Sequence, residues 1–214
     1  MLKRGLGNQA AEVLRNEILS GAFQPGEQIT EEALSAQLGV SRGTIRTSLQ
    51  QLVHEGMVRY EPYKGNFIRP LDAHDVWEIY TLRNSLEALA SRFAAQFITS
   101  SGKDQLAAAL NNLQAAIKSK QQRAIVDADF ALHLIIVELS QHKRLMVQYK
   151  QLENLTRLYI NTLVGYRTNL EELLEEHVVL VEAISQGDPD KAELIAKEHN
   201  TVDGQFLQTQ LAAD

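Results

Sequence analysis

The stretch Leu34-Ser35-Ala36-Gln37-Leu38-Gly39-Val40-Ser41-Arg42-Gly43-Thr44-Ile45-Arg46 constrains the fold of this chain more than any other. It reads as two short helices joined by a turn at Gly39, with Ser41 placed to cap the second. Arg42 and Arg46, four residues apart, project from one face of that second helix. Its opposite face, Ile45, Leu49, Leu52 and Val53, is apolar and can pack on a small core. A helix that is dry on one side and carries paired arginines near its N-terminus on the other suits a DNA major groove. There, arginine bridges phosphates or takes the O6 and N7 acceptors of guanine.

The flanks complete the unit. Asn8 to Leu19 has helical apolar spacing at Ala11, Leu14 and Ile18, and ends at Gly21. Phe23 to Glu27 is a turn leading into the short extended piece Gln28-Ile29, and Thr30 caps a helix from about Glu31 to Leu38. The arginine-bearing helix runs from Arg42 to His54 and stops at Glu55-Gly56. Met57 to Tyr60 and Asn66 to Ile68 read as two short strands, joined by the turn residues Glu61-Pro62-Tyr63-Lys64-Gly65. Three helices and then a β-hairpin wing is the winged helix-turn-helix order.

After Pro70 the strand signals vanish. Six helices are expected, at about Asp72–Ile98, Lys103–Lys118, Gln122–Ser140, Lys143–Tyr166, Asn169–Gln186 and Pro189–Gln208. One break is expected at Ser100-Ser101-Gly102, and Asp188 and Pro189 suit the cap and first position of the last helix. The fold class is therefore mainly α: an N-terminal winged helix-turn-helix (1–70) followed by an all-α six-helix bundle (71–214). Charge follows the same boundary. Residues 1–70 hold eight Lys/Arg and seven Asp/Glu, whereas 71–214 hold thirteen and twenty. A barely basic head on an acidic body fits a DNA reader on a sensor or dimerisation module, with affinity resting on where the arginines sit. The chain has no cysteine, which excludes disulfides and thiolate metal sites and suits a cytoplasmic location. No apolar run approaches membrane-spanning length, and the N-terminus lacks an export pattern.

The bundle carries a second constellation. Asp129 and His133 stand at i and i+4 and can chelate one ion from one helical face. His177 and His199 flank the Gly187-Asp188-Pro189 turn at equal separation, eleven residues from its centre. In an antiparallel helix pair they lie level, each about 16 Å from the turn. His177 has Leu173, Leu174, Leu180 and Val181 as neighbours, and His199 has Ile195 and Val202. Three inward histidines and one inward carboxylate suggest a shared cation, against the plainer reading of core histidines with local hydrogen bonds. Nitrogen and oxygen ligands suit Zn(II), Ni(II) or Mn(II). Arg83 falls on the apolar stripe of the first bundle helix with Val76, Tyr80, Glu87 and Ala90, an odd place for an unpaired charge. It forms an ion pair with Glu87, or receives an effector carboxylate, or both. Tyr159, Asn161 and Tyr166 are pocket-lining candidates.

Pro25-Gly26, Glu31, Leu34, Leu38-Gly39-Val40-Ser41-Arg42, Ile45-Arg46, Leu49, Leu52, Glu55-Gly56 and Gly65 together resemble the GntR superfamily of bacterial regulators. The helical remainder resembles the effector (FCD) domain of the FadR subfamily, and six helices would place it in the shorter, VanR-like branch. The resemblance implies a homodimer that binds a palindromic operator, represses, and responds to a small carboxylate in the C-terminal bundle. It implies that Arg42, Thr44 and Arg46 meet the major groove, that Ser41 donates to a phosphate, and that Gly65 lets the wing approach the backbone with Lys64 beside it. Many such effector domains use an Asp-x3-His pair and two later histidines as metal ligands, and Asp129, His133, His177 and His199 fill all four positions. The sequence departs from the family at Gly43, which offers no side chain to DNA, and at Glu32, where some relatives carry a basic residue. A purely structural metal, or a metal that is itself the signal, is one alternative. The other is a metallohydrolase with Glu176 as base, disfavoured because it has no use for the head and lacks a His-Glu-x-x-His motif.

Overall fold

A computed structural model describes residues 5–213, so the first four residues and Asp214 of the expected domains lie outside the described residues. The chain divides into two compact units with the boundary between Leu71 and Asp72. In the first, α1 (Leu6–Leu19), α2 (Glu31–Leu38) and α3 (Arg42–His54) surround a core of Ala11, Leu14, Ile18, Leu34, Ile45, Leu49, Leu52 and Met57. Val53 on α3 is half-buried. Thr30 and Ser41 cap α2 and α3, accepting from the backbone N–H of Ala33 and Thr44. Gly39 closes α2 in the left-handed region (φ 65°), which glycine enters without a Cβ penalty. Strands β1 (Gln28–Ile29), β2 (Val58–Glu61) and β3 (Gly65–Ile68) form one antiparallel sheet ordered β1-β3-β2. Gln28-Ile29 is thus the edge strand that pairs with Phe67 and Asn66 of the wing.

The second unit holds six helices among the described residues: α4 (Ala73–Gln96), α5 (Ser100–Ser119), α6 (Gln122–Leu139), α7 (Lys143–Tyr166), α8 (Leu170–Gln186) and α9 (Pro189–Ala213). Two boundaries differ from expectation by more than two residues. Ser100-Ser101-Gly102 is the first turn of α5 and not a break, because Thr99 caps it through the Gly102 N–H. Helix α9 continues five residues past Gln208. Phe130, Leu132, Ile136, Tyr149, Leu173 and Leu180 fill the interior. Among the described residues no helix is long and apolar enough to cross a membrane.

Helices α4 and α9 pack closely at Gly204. A Cβ there would lie 3.0 Å from Tyr80 Cβ and 3.1 Å from Tyr80 Cγ, and the Tyr80 ring is buried. Overpacking costs about 1–3 kcal/mol, against a gain of about 1 kcal/mol in helix propensity for alanine. Gly204→Ala is therefore expected to lower stability by up to ~2 kcal/mol in a urea titration. A rise in stability would contradict this packing.

Candidate metal centre and nucleic-acid interface

The interior of the bundle is organised by one carboxylate. Helix α4 turns Arg83 and Glu87 inward one turn apart, and the Arg83 Nε–H donates to Glu87 Oε1 at 2.7 Å. Tyr149 of α7 donates to the same oxygen at 2.7 Å. Asn200 of α9 donates to Glu87 Oε2 at 2.9 Å, and His133 Nδ1 of α6 lies 2.9 Å from it. Burial alone would push the Glu87 carboxyl up, but Arg83 and His133 more than reverse this and hold it well below the usual carboxylate range. An ionised Glu87 only accepts, so His133 donates from Nδ1 and its Nε2 lone pair faces the interior.

His177 reaches the same state by another route. Its Nδ1 lies 2.7 Å from the carbonyl oxygen of Leu173, which can only accept, so Nδ1 carries a proton and Nε2 is the nitrogen left to a second proton or a cation. The two Nε2 atoms are 3.1 Å apart, and Asp129 Oδ1 lies 3.1 Å from His177 Nε2. His199 completes the group, with its ring centroid 4.7 Å from that of His177 and 5.2 Å from that of His133. All three histidines are buried, and their ligand atoms lie within 4.8 Å of one another. Both His199 ring nitrogens lack a hydrogen-bond partner. The nearest carboxylate oxygens are those of Glu176 at 3.8 Å and Asp203 at 3.9 Å.

The electrostatics show that a positive charge is favoured at this point. Burial lowers the His177 pKa, but Asp129 outweighs it and the net shift is upward, which favours a proton on Nε2 beside Asp129 where a cation would otherwise stand. Burial raises Asp129, and His177 more than cancels that, so its carboxyl stays ionised. Burial first, then the neighbouring histidines, push His199 well down, which keeps it neutral with a lone pair to give. Two imidazole lone pairs and a carboxylate oxygen in mutual contact repel unless a proton or a cation stands among them. The orphaned His199 nitrogens add a further donor, so the set fits a divalent cation.

The remaining predicted residues separate. Arg83 is buried and held by Glu87, yet its Nη2 has no hydrogen-bond partner, and neither has the adjacent Tyr80 hydroxyl. Tyr159 is buried in the core, and Asn161 accepts from Gln122 at the surface. Tyr166 borders a cavity of about 400 Å3 with Arg167 and Glu176. Val202, read as an apolar neighbour of His199, is about half exposed instead. It lines, with Glu176, Val179, Ile195 and Glu198, a cavity of about 220 Å3 that reaches His199. Sequence reasoning missed the hub formed by Tyr149, Asn200 and His133 around Glu87. It also missed Asp203, whose place one turn after His199 was a readable signal.

On the head, Ser41 Oγ is engaged as the α3 cap, accepting from Thr44 N–H (3.1 Å) and lying 2.9 Å from Thr44 Oγ1. Arg42 and Arg46 are exposed on α3, but neither is bare. Arg46 forks onto both oxygens of Glu31 (2.8 and 2.7 Å), and Arg42 Nη2 meets Glu32 at 2.9 Å. At the wing, Glu61 holds Arg59 at 2.6 Å and Lys64 at 3.2 Å. Gly65 has φ 101°, and Gln28 fastens the Lys64 carbonyl at 2.6 Å, so the tip is fixed to the edge strand. Tyr63 is fully exposed at that tip with φ 66°, a left-handed conformation that a bulky residue adopts at a cost.

A winged helix-turn-helix with an exposed arginine-bearing recognition helix, joined to a helical bundle, defines a DNA-binding transcriptional regulator. The sequence matches the pattern "Bacterial regulatory proteins, gntR family" over residues 6–68 and the FCD domain over residues 78–201. The chain belongs to the gntR family of bacterial regulators, with an FCD domain following the head. It is 24% identical over 199 residues to the HTH-type transcriptional repressor RspR of Escherichia coli K12, covering 91% of this chain and 85% of that protein. It is 27% identical over 205 residues to the galactonate operon transcriptional repressor of the same organism, covering 86% and 88%. Among solved structures, the fold is similar to E. coli McbR/YncC, with a TM-score of 0.80 and 22% identity over 97% of this chain and 99% of that one. The family and these relatives are regulators rather than enzymes, which removes the metallohydrolase reading.

Because Arg83 is buried, it depends on the Glu87 charge. Glu87→Gln leaves a buried guanidinium without its counter-charge and is expected to cost about 3–5 kcal/mol of bundle stability in a denaturant titration. A loss below ~1 kcal/mol would show that the hub is not what joins α4 to its neighbours.

Proposed function

We propose that this chain is a repressor whose operator binding is set by a small organic acid, received in the C-terminal bundle beside a divalent cation held by His133, His177, His199 and Asp129. The observation that carries this reading is the convergence of the His133 and His177 Nε2 lone pairs with the Asp129 carboxylate, next to a His199 ring with no other partner. Zn(II), Ni(II) and Mn(II) all suit the donor set. A bound cation would supply Lewis acidity and coordination positions open to an oxygen ligand. Glu87 and the Leu173 carbonyl fix the ring orientations, and the Arg83 Nη2 and Tyr80 hydroxyl offer donors for a carboxylate. Galactonate, which names one relative's operon, is itself a hydroxycarboxylate.

The head would read a palindromic operator as a homodimer in the cytoplasm. Arg42, Thr44 and Arg46 would lie in the major groove, Ser41 at a phosphate, and Lys64 and Gly65 at the backbone beneath the wing. Displacement of α4 on effector binding would alter the separation of two recognition helices, and a few kcal/mol of differential affinity suffices to change operator occupancy. The Arg83–Glu87 pair favours a second reading, in which the cation is structural or is itself the signal, because the guanidinium is already held.

Thermal melting separates these readings. Chelation is expected to lower the melting point. A cognate carboxylate at about 100 times its Kd should add roughly 2.7 kcal/mol, and only with metal present. A melting point that falls on chelation and rises with no carboxylate would leave the cation as structure or signal. For the head, Arg46→Ala is expected to abolish footprinting on the operator while the bundle melts as before. A retained footprint would contradict the assignment of α3.

A further inference from the structure

Four cations of α3 and the wing are paired before any DNA arrives. Arg42, Arg46, Arg59 and Lys64 each meet a carboxylate, at distances from 2.6 to 3.2 Å. The partners come from flanking elements: Glu31 and Glu32 open α2 beneath the recognition helix, and Glu61 ends β2 at the base of the wing turn. Glu31 grips Arg46 with both oxygens and so sets the direction of that guanidinium. Glu32 meets Arg42 through one oxygen, and Glu61 gives one oxygen to each of two cations. Glu32 is about three-quarters exposed, and Glu61 divides itself between Arg59 and Lys64.

We propose that Glu32 and Glu61 restrain the electrostatic grip of the head on DNA of any sequence, so that phosphate contacts alone hold it weakly and a matching base sequence must supply the rest. On such DNA the contacts are to phosphates, so Arg42 or Lys64 exchanges one carboxylate for one phosphate, and the freed carboxylate stays near the polyanion. The exchange gains little charge neutralisation, and counterion release is what drives non-specific binding. On the operator, an arginine fork onto guanine N7 and O6 adds a directional contact that a phosphate cannot match. An exposed ion pair is weak enough to yield to that contact. The two glutamates therefore lower affinity for every site alike, and only the base contacts of the operator lift binding above that lowered level. This also explains how a reading head can be barely basic, with eight Lys/Arg against seven Asp/Glu over residues 1–70.

The proposal rests on α3 and the wing being the DNA face, and its test is built to separate the two. Full-length wild type, Glu32→Gln, Glu61→Gln and Arg42→Ala are titrated by fluorescence anisotropy. The probes are a 30-base-pair duplex of random sequence and the tightest duplex that wild type selects from a random library, each over a salt series. Both glutamines replace exposed or half-exposed side chains without changing their size, so the fold is kept. Each is expected to tighten random-duplex binding about 3–10-fold at low salt. Each should also steepen the log–log salt dependence by up to about one unit per head. The selected duplex should tighten by a similar factor, so the ratio of selected to random affinity stays within about threefold of wild type, because the cost is common to both. Unchanged random-duplex affinity and slope, with Arg42→Ala weakened on the selected duplex, would overturn the role of the glutamates alone. A loss of selected-duplex affinity in Glu32→Gln would also overturn it, making Glu32 a base-reading acceptor. If Arg42→Ala binds both duplexes as wild type does, the DNA face itself is misassigned and the proposal falls with it.

Discussion

The buried Glu87 carboxylate is the interaction on which the C-terminal unit depends. Its two oxygens receive Arg83 from its own helix, Tyr149 from α7, Asn200 from α9 and His133 from α6. A charge so far from water survives only when its lone pairs are filled and a counter-charge is adjacent, and both conditions are met here. Four helices are thereby fixed to one point by polar contacts whose geometry is narrow. The apolar core around Phe130, Leu132 and Leu173 supplies most of the burial, but it does not by itself choose which way a histidine ring faces.

That choice is the step from fold to chemistry. Glu87 accepts from the Nδ1–H of His133 and the Leu173 carbonyl from that of His177, so both rings turn their Nε2 atoms to a common centre. Asp129 reaches the centre from one turn before His133, and His199 enters from α9 with both ring nitrogens unsatisfied. Backbone and second carboxylate thus act on the ligand atoms indirectly, through tautomer and orientation. Arg167, bound to Asp203 and Glu176, extends the charged lattice towards His199, so the cluster sits among paired charges and not in a purely apolar pocket. The head follows the same logic at its surface, where carboxylates from α2 and β2 position the cations of α3 and the wing.

Much of this was legible in the sequence. The spans of α2, α3 and α7 match their expected residues, since caps and breakers mark their ends: Thr30, Gly39, Ser41 and His142 each do what their side chains or backbone freedom allow. The level placement of His177 and His199 followed from equal distances to the Asp188 turn, because helical rise is constant. What stayed hidden was long-range. That Thr99 would begin α5 ahead of a Ser-Ser-Gly run is decided by a cap bond and by packing of Gly102 against Ile98 and Leu139. That Gln28-Ile29 would join the wing is decided by β3. The partners of Glu87 on other helices come from residues 46 to 113 positions away, and the Glu31–Arg46 fork spans the helix-turn-helix. Periodicity says which face a residue occupies, and it does not say which other face meets it.

The metal content of the purified chain, prepared without chelators or metal resin, is the most direct test of the centre. Inductively coupled plasma mass spectrometry should find close to one divalent cation per chain in the wild type, retained through gel filtration and lost in His177→Ala. Wild type carrying only trace metal after dialysis against a mixture of Zn(II), Ni(II) and Mn(II), or His177→Ala retaining the wild-type content, would contradict a cation held by these histidines.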